Sequence, residues 1–405
     1  MISYRSARIA FRKTLATRKA GMHRTPCICI FASLYLPSIG GVEAYTANLA
    51  KALVRKGYRV IVVTCNIAEL ASKQIENGIE IVRLPCLQPL RTRYPIPRGN
   101  SEVRELWSHL RRQAIDYIVV NTRFYPLSLS ALAFSRDIGI VPILIEHGSA
   151  HLTLGNRFLD VFVRQVEHHL TSKCKRYPVD FYAVSEKASA WLRHFGITSK
   201  GELSNSIDAR EFAESSSGRD YRAELGLPEN SFLVSFVGRL VPEKGVIPLL
   251  NALKMLDRDD FVVAFAGKGP LESSVQNLGK KNCIVLGRLS RPDVAALLKQ
   301  TDLLCLPSRS EGFATVLLEA AACGTPVMTT DVGGVKELIP DPSFGTILPD
   351  ASPSTIAKAL DEAIEGRKAL PLQGAKCREL VTESYSWSRT AEKTIKACEA
   401  AQGKR

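Results

Sequence analysis

Apolar residues fall along this chain in two alternating rhythms. Short continuous apolar runs, rich in Val and Ile, are separated by longer stretches whose apolar residues recur every three or four positions. The first pattern predicts strands buried on both faces, and the second predicts helices that cover them. In the first half, strands are predicted at Cys27–Leu36, Tyr58–Thr64, Ile79–Leu84, Tyr117–Asn121, Pro142–Glu146 and Phe181–Val184. One helix opens at Gly40-Gly41-Val42-Glu43 and runs to about Lys56, with Leu49, Ala50 and Leu53 on its apolar side. Others are predicted at Glu102–Arg112, Leu127–Ser135, Asn156–Leu170 and Lys187–His194.

Between Gly201 and Arg222 the rhythm breaks. Ser204-Asn205-Ser206 and Glu214-Ser215-Ser216-Ser217-Gly218 read as a crossing and a linker. The alternation then restarts. Strands are predicted at Phe232–Val237, Phe261–Ala266, Ile284–Leu286, Leu303–Leu306 and Pro326–Thr329. Helices are predicted at Val246–Met255, Leu271–Leu278, Arg291–Lys299 and Thr315–Ala322. The expected fold is α/β, with two Rossmann-like, doubly wound domains facing each other across a cleft. A length of 405 residues accommodates both. Expected boundaries are a basic extension at 1–24, a first domain at 25–205, a second at 206–380 and a terminal segment at 381–405.

Ligands of such sheets bind beyond the carboxyl ends of the strands. The segment from Ser308 to Glu319 follows a strand and opens a helix, with Glu311 and Glu319 eight positions apart around the helix start. Unpaired amides at a helix N-terminus suit phosphate, and carboxylates accept hydrogen bonds from sugar hydroxyls. Arg239 and Lys244 follow the first strand of the second domain, where two cations could neutralise a diphosphate. Gly40-Gly41 permits close approach to a ligand, but no G-x-G-x-x-G fingerprint is present. Gly267-Lys268-Gly269 reads as a strand-to-helix turn that contacts a base or phosphate. His147 stands at a strand end in Glu146-His147-Gly148. Asp257-Arg258-Asp259 precedes a strand, on the wrong edge for a metal-binding D-x-D pair, and reads as a turn.

The net charge is +14. Half comes from Arg5, Arg8, Arg12, Lys13, Arg18, Lys19 and Arg24, with no acid among them. This start reads either as a solvated tail preceding an initiator at Met22, or as an arm for an anionic membrane surface. No nucleic-acid motif accompanies the charge, so no nucleic-acid partner is expected. No apolar run is long enough to span a bilayer. The ten cysteines are scattered, mostly in apolar runs, as free thiols of a reducing cytoplasm are. There is no CxxC pair and no His-rich cluster along the sequence, which argues against a metal site.

Taken together, the chain from about residue 25 to 390 resembles glycosyltransferase family 4, retaining enzymes of the GT-B fold that use nucleotide sugars. The resemblance is carried by Gly-Gly-Val-Glu at 40–43, Glu146-His147-Gly148, Ala183-Val184-Ser185-Glu186 and Gly238-Arg239 with Lys244-Gly245. Ala266-Gly267-Lys268-Gly269-Pro270-Leu271 and Leu286-Gly287-Arg288-Leu289 match too. The E-x7-E pair Glu311 and Glu319, with Gly324-Thr325-Pro326-Val327 behind it, completes the set.

The resemblance implies roles. Glu311 would contact the transferred sugar, with the amides of Gly312 and Phe313 beside it. Glu319 would hold the ribose. Arg239 and Lys244 would bind the diphosphate, Gly41 would approach it from the first domain, and His147 would face the donor sugar. Glu311, His147, Arg239 and Lys244 are thus the implied catalytic residues. Gly41, Gly238, Gly267, Arg288, Leu289, Gly312, Phe313, Ala314, Thr315 and Glu319 join them in the donor site. Transfer would need neither metal nor cofactor, only a donor such as a UDP- or GDP-linked sugar. The segment around Trp387 would cross back onto the first domain. Two positions depart from the family: Ser204-Asn205-Ser206 replaces Pro-Asn-Gly, and Ala314 stands where Gly or Pro is usual.

The expected function is transfer of a hexose-type sugar to a lipid-linked or saccharide acceptor for cell-envelope glycan. The protein would work in the cytoplasm, at the inner face of the membrane. A nucleotide-sugar epimerase or hydrolase on the same fold, or a non-catalytic scaffold, is the alternative.

Overall fold

The computed structural model describes residues 24–38, 40–89, 94–151, 157–228, 230–279 and 282–403. The basic arm, apart from Arg24, lies outside them. The first sheet contains β1 (Cys27–Phe31), β2 (Arg59–Asn66), β3 (Lys73–Glu76), β4 (Ile79–Leu87), β5 (Ile96–Pro97), β6 (Tyr117–Asn121), β7 (Ile143–Glu146) and β8 (Asp180–Ala183). Its order is β3-β4-β2-β1-β6-β7-β8, with β5 beside β4. All pairings are parallel except those of β3 and β5, which run antiparallel to β4. Helices α1 (Gly41–Arg55), α2 (Ser101–Arg112), α3 (Pro126–Asp137), α4 (Arg157–Cys174) and α5 (Glu186–His194) connect the strands.

After two short helices, α6 (Ala209–Glu214) and α7 (Tyr221–Glu224), the second half repeats the plan. It runs β9 (Phe232–Val237), α8 (Val246–Met255), β10 (Phe261–Ala266), α9 (Glu272–Gln276), β11 (Cys283–Gly287), α10 (Arg291–Gln300) and β12 (Leu303–Leu306). Then come α11 (Thr315–Cys323), β13 (Val327–Thr330), α12 (Val335–Leu338), β14 (Thr346–Leu348), α13 (Pro353–Glu365), α14 (Leu370–Ser384) and α15 (Trp387–Gly403). This second sheet is wholly parallel, in the order β11-β10-β9-β12-β13-β14.

The strand sequences explain the layering. Every residue of β1, β9 and β10 is buried, as a strand covered by helices on both faces requires. Ser290 caps α10 by accepting from the Asp293 amide (3.2 Å), and Pro292 follows inside the first turn where its missing N–H costs nothing.

The structure differs from the sequence reading in two instructive places. β1 ends at Phe31, not at Leu36, because its register with β2 and β6 runs out at Val63 and Val120. The crossing at 203–207 is packed in, while the serine-rich stretch 214–218 is mostly exposed, as a linker is. Asn205 and Ser206 are buried, and the Ile207 amide donates to the Tyr385 carbonyl (2.8 Å). Ser206 also hydrogen-bonds Thr390 (2.7 Å). These partners lie at the far end of the chain and cannot be seen from local sequence. α15 in turn packs on α1, β6 and β7. There the Lys56 ammonium donates to Glu392 (2.6 Å), and Trp387 meets Tyr45 edge-on at 5.4 Å. The terminal helix thus braces the crossing between the halves from the first-sheet side.

Candidate active site

In each sheet the strand order reverses about a central strand, β1 in one and β9 in the other. The loops leaving the carboxyl ends beside these points meet. Lys244 sits in a 3-10 turn at Pro242–Lys244, directly before Gly245. Gly245 is left-handed (φ 75°), and a Cβ there would lie 1.9 Å from the Pro307 carbonyl oxygen. Only glycine allows these two loops to close. The Arg309 amide then donates to the Glu243 carbonyl (2.8 Å). The result is an ion pair between Lys244 Nζ and Glu311 Oε1, with the Ser308 hydroxyl donating to the same oxygen at 3.0 Å.

Just beyond Glu311, α11 begins at Thr315. Its N-cap, Ala314, makes no side-chain hydrogen bond to the first-turn amides. The helix start therefore keeps donors and positive dipole character for an external anion. Glu319, one turn along, is largely buried. Burial raises its pKa to about 7, opposed by the charge of Arg291. Arg239 is exposed, and its charge opposes the burial-driven rise in the pKa of Glu43 on the first half. Gly238 donates to Ala266 (2.9 Å), and Gly267 lies against the Gly238 carbonyl. Exposed Arg288 and half-buried Leu289 follow β11, two strands away from β9. Gly41, the exposed first residue of α1, has open space on its Cβ side.

The first half approaches this junction through the loop after β7. The Gly312 backbone packs against His147, so closely that a Cβ on Gly312 would fall 1.7 Å from the His147 carbonyl oxygen. The Ser149 hydroxyl donates to the Glu311 carbonyl (2.6 Å), and the Ser185 hydroxyl to that of Gly312 (3.0 Å). Lys187 pairs with Asp331 at 3.0 Å.

The tautomer of His147 follows from its neighbours. The Thr46 hydroxyl donates to the Val42 carbonyl (2.7 Å), so it can only accept from the Asn121 amide (2.8 Å). Asn121 Oδ1 therefore faces His147, and Nε2 of the ring donates to it (2.9 Å). Burial lowers the His147 pKa to about 3, so the ring is neutral at pH 7. Nδ1 is left with a lone pair suited to a hydroxyl donor.

Behind His147 lies a charged cluster that the sequence reading missed. Arg123 is fully buried and donates to Glu146 and, at 2.5 Å, to Glu167. Glu146 also accepts the Gly148 amide (2.7 Å), and the Arg123 guanidinium lies 4.0 Å from the Phe195 ring centroid. Glu167 holds Nδ1 of His151 (2.7 Å). His151, His168 and His194 offer ligand atoms all within 4.8 Å of one another. No spacing in the sequence signals this group. Asp257-Arg258-Asp259 forms no acidic pair: Arg258 bonds Asp260 and Asp361 instead.

The structure thus brings Lys244, Glu311, Gly312 and His147 together. Arg239, Phe313, Ala314 and Thr315 are on the same loops, Glu319 is on the following helix, and Arg288 and Leu289 are at the edge. Glu43, Asn121 and Ser149 belong to the same junction. Glu43 has a sequence signal in the Gly-Gly-Val-Glu run, and Asn121 and Ser149 open first-half loops from which the sequence leads one to expect acceptor contacts.

Comparison with known proteins matches residues 39–203 to a model described as Glycosyltransferase Family 4, and residues 218–380 to Glycosyl transferases group 1. Together they account for most of the chain. It is 24% identical to a subunit of the human phosphatidylinositol N-acetylglucosaminyltransferase, covering 92% of this chain and 76% of that one. In fold it is similar to HepE of Anabaena, solved in complex with UDP-glucose (TM-score 0.68, 19% identity, 92% of this chain and 99% of that one). It is similar also to WaaG, a glycosyltransferase involved in lipopolysaccharide biosynthesis (TM-score 0.64, 18% identity, 93% and 100%).

Arg123→Met should leave two carboxylates buried without their cation and cost about 3–5 kcal/mol. Urea denaturation would measure the loss; a change below 1 kcal/mol, roughly the value of an exposed pair, would refute the role given to this cluster.

Proposed function

The chain belongs to glycosyltransferase family 4, and from that premise we propose that it moves a hexose-type sugar, with retention, from a nucleotide-diphosphate sugar to an acceptor hydroxyl. One observation carries this reading: Lys244, Glu311 and the uncapped start of α11 converge at the switch point of the second sheet. A diphosphate at the helix start would meet the backbone amides of 313–315 together with Arg239 and Lys244. These cations would stabilise the departing nucleotide, so transfer itself asks for no metal. Glu311 pairs with Lys244. A donor phosphate would take over the ammonium and release Glu311 to accept hydrogen bonds from the sugar. His147 Nδ1 would accept another sugar hydroxyl from the opposite side. The acceptor oxygen would attack the anomeric carbon on the face the phosphate leaves, and its proton would pass to the leaving phosphate oxygen.

The domain limits given above follow from the same reading, with donor contacts on the 206–380 side and acceptor contacts on the 25–205 side. A lipid-linked or polysaccharide-precursor acceptor of the cell envelope is favoured by the first half, where Leu159, Val161 and Phe162 are exposed on α4. No helix among the described residues is long and apolar enough to cross a membrane. The contact proposed is peripheral, with an anionic membrane surface at its cytoplasmic face.

Glu311→Ala should abolish transfer while the protein stays folded, and Arg239→Ala should slow it on the order of 10²-fold or more. Turnover near the parent value in Glu311→Ala, or consumption of donor at the full rate without acceptor, would refute the assignment. Glu319 supplies a pH test. Its raised pKa means the folded state holds this proton more tightly than the unfolded chain. The associated stability is present at acid pH and is lost as pH rises through about 7. Ribose hydroxyls need the ionised form, so UDP should bind more tightly as pH rises between about 6 and 8, and Glu319→Gln should remove part of that rise. Identical pH profiles for parent and variant would exclude Glu319 from the ribose site. On sedimentation with anionic liposomes, Phe162→Ser should lower the bound fraction, and unchanged binding would count against this face.

A further inference from the structure

We propose that His151, His168 and His194 bind one divalent transition-metal ion of the zinc class, at the outer end of the Arg123 ion-pair chain. The three side chains come from three different elements: the loop after β7, the middle of α4 and the last residue of α5. Their ring centroids lie 5.4–5.5 Å apart, and their ligand atoms fall within 4.8 Å of one another. Zinc–nitrogen bonds of about 2.0–2.1 Å require nitrogens about 3.4 Å apart in a tetrahedron. Small side-chain rotations close the difference. His168 and His194 are exposed, which leaves space for such rotations and provides an entry path and room for water as a fourth ligand.

The groups behind the histidines fit the same ion. Glu167 holds Nδ1 of His151, so Nε2 remains for the metal, the carboxylate–histidine–metal arrangement that fixes a ligand's tautomer. Glu167 is itself fixed by buried Arg123. His194 lies flat on Trp191, with centroids 4.9 Å apart and planes within 4°. Formal charge points the same way. Glu146 and Glu167 exceed Arg123 by one negative charge in a buried cluster, and a dication beyond His151 offsets it. A set of imidazoles without a ligating carboxylate selects zinc and its first-row neighbours over magnesium or calcium.

Bound there, the ion would tie α4 and α5 to the loop 147–151. That loop carries His147 and, through Ser149, touches Glu311. The site is separate from the transfer chemistry and stands whether or not the donor reading holds.

The test uses the full chain, stripped with chelator and then titrated with Zn(II) by calorimetry and with Co(II) by visible absorption. The parent should bind one equivalent of zinc, show the intense bands of four-coordinate cobalt, and unfold at a higher temperature with zinc than without. His168→Ala and His194→Ala, both at exposed positions that leave the core intact, should each weaken binding on the order of 10²-fold and abolish the cobalt bands. His169→Ala, at an exposed neighbour outside the cluster, should behave as the parent does. A parent without a saturable equivalent, or binding unchanged in both His168→Ala and His194→Ala, would overturn the site.

Discussion

A buried guanidinium governs the first half of this molecule. Arg123 has no exposed surface, and its two partners, Glu146 and Glu167, are sealed in with it. Removing three formal charges from water is expensive, and the arrangement persists because each carboxylate has further donors. Glu146 accepts the Gly148 amide, and Glu167 accepts from His151. These bonds fix the loop that carries His147. Thr122, between Asn121 and Arg123, adopts a left-handed φ of 63°, a costly conformation for a β-branched residue. Surrounding structure must impose it. The turn allows Asn121 to hold His147 while its near neighbour Arg123 holds Glu146. Backbone strain, a buried ion cluster and a defined histidine tautomer are consequences of one requirement: a rigid wall opposite the second sheet.

The second half meets that wall with charge instead of rigidity. Lys244 and Glu311 satisfy each other across two loops, while Arg239 stays exposed at the edge of the first half. A lysine–carboxylate pair is exchangeable, because phosphate competes well for an ammonium and hydroxyl groups compete for a carboxylate. Glu319 is the opposite case. It is largely buried, and its raised pKa records that the carboxylate lacks enough donors to offset desolvation. The junction therefore combines one carboxylate short of donors with one pair whose members satisfy each other. Close backbone contacts hold the two halves at this distance. The Gly312 backbone lies against the His147 carbonyl, where any larger residue would force the loops apart.

The strand and helix pattern was legible because burial on both faces leaves a strong local signature. β6, β9, β10, β12 and α8 have the limits that periodicity predicted. Strand ends were less legible where pairing partners decide them, as with β1. Ser308 to Glu319 could be read as a candidate ligand site because a strand, a loop and a helix start are contiguous in sequence. The family resemblance extended that reading to Arg239, Lys244 and His147, which lie on separate loops.

The sequence by itself determined the α/β alternation, the repeat of one plan in two halves and the loops of the candidate site, since each of these is written over short stretches of chain. Only the tertiary structure decided how those loops meet. It set Gly312 against His147, paired Lys244 with Glu311 and tied Ser204 and Ser206 of the crossing to Thr390 of the terminal helix. It also gathered Arg123 with Glu146 and Glu167, and His151 with His168 and His194. The reason is that contacts between residues distant in sequence are created by packing whole layers together. Nothing in the spacing of isolated polar residues reports which of them that packing will make neighbours.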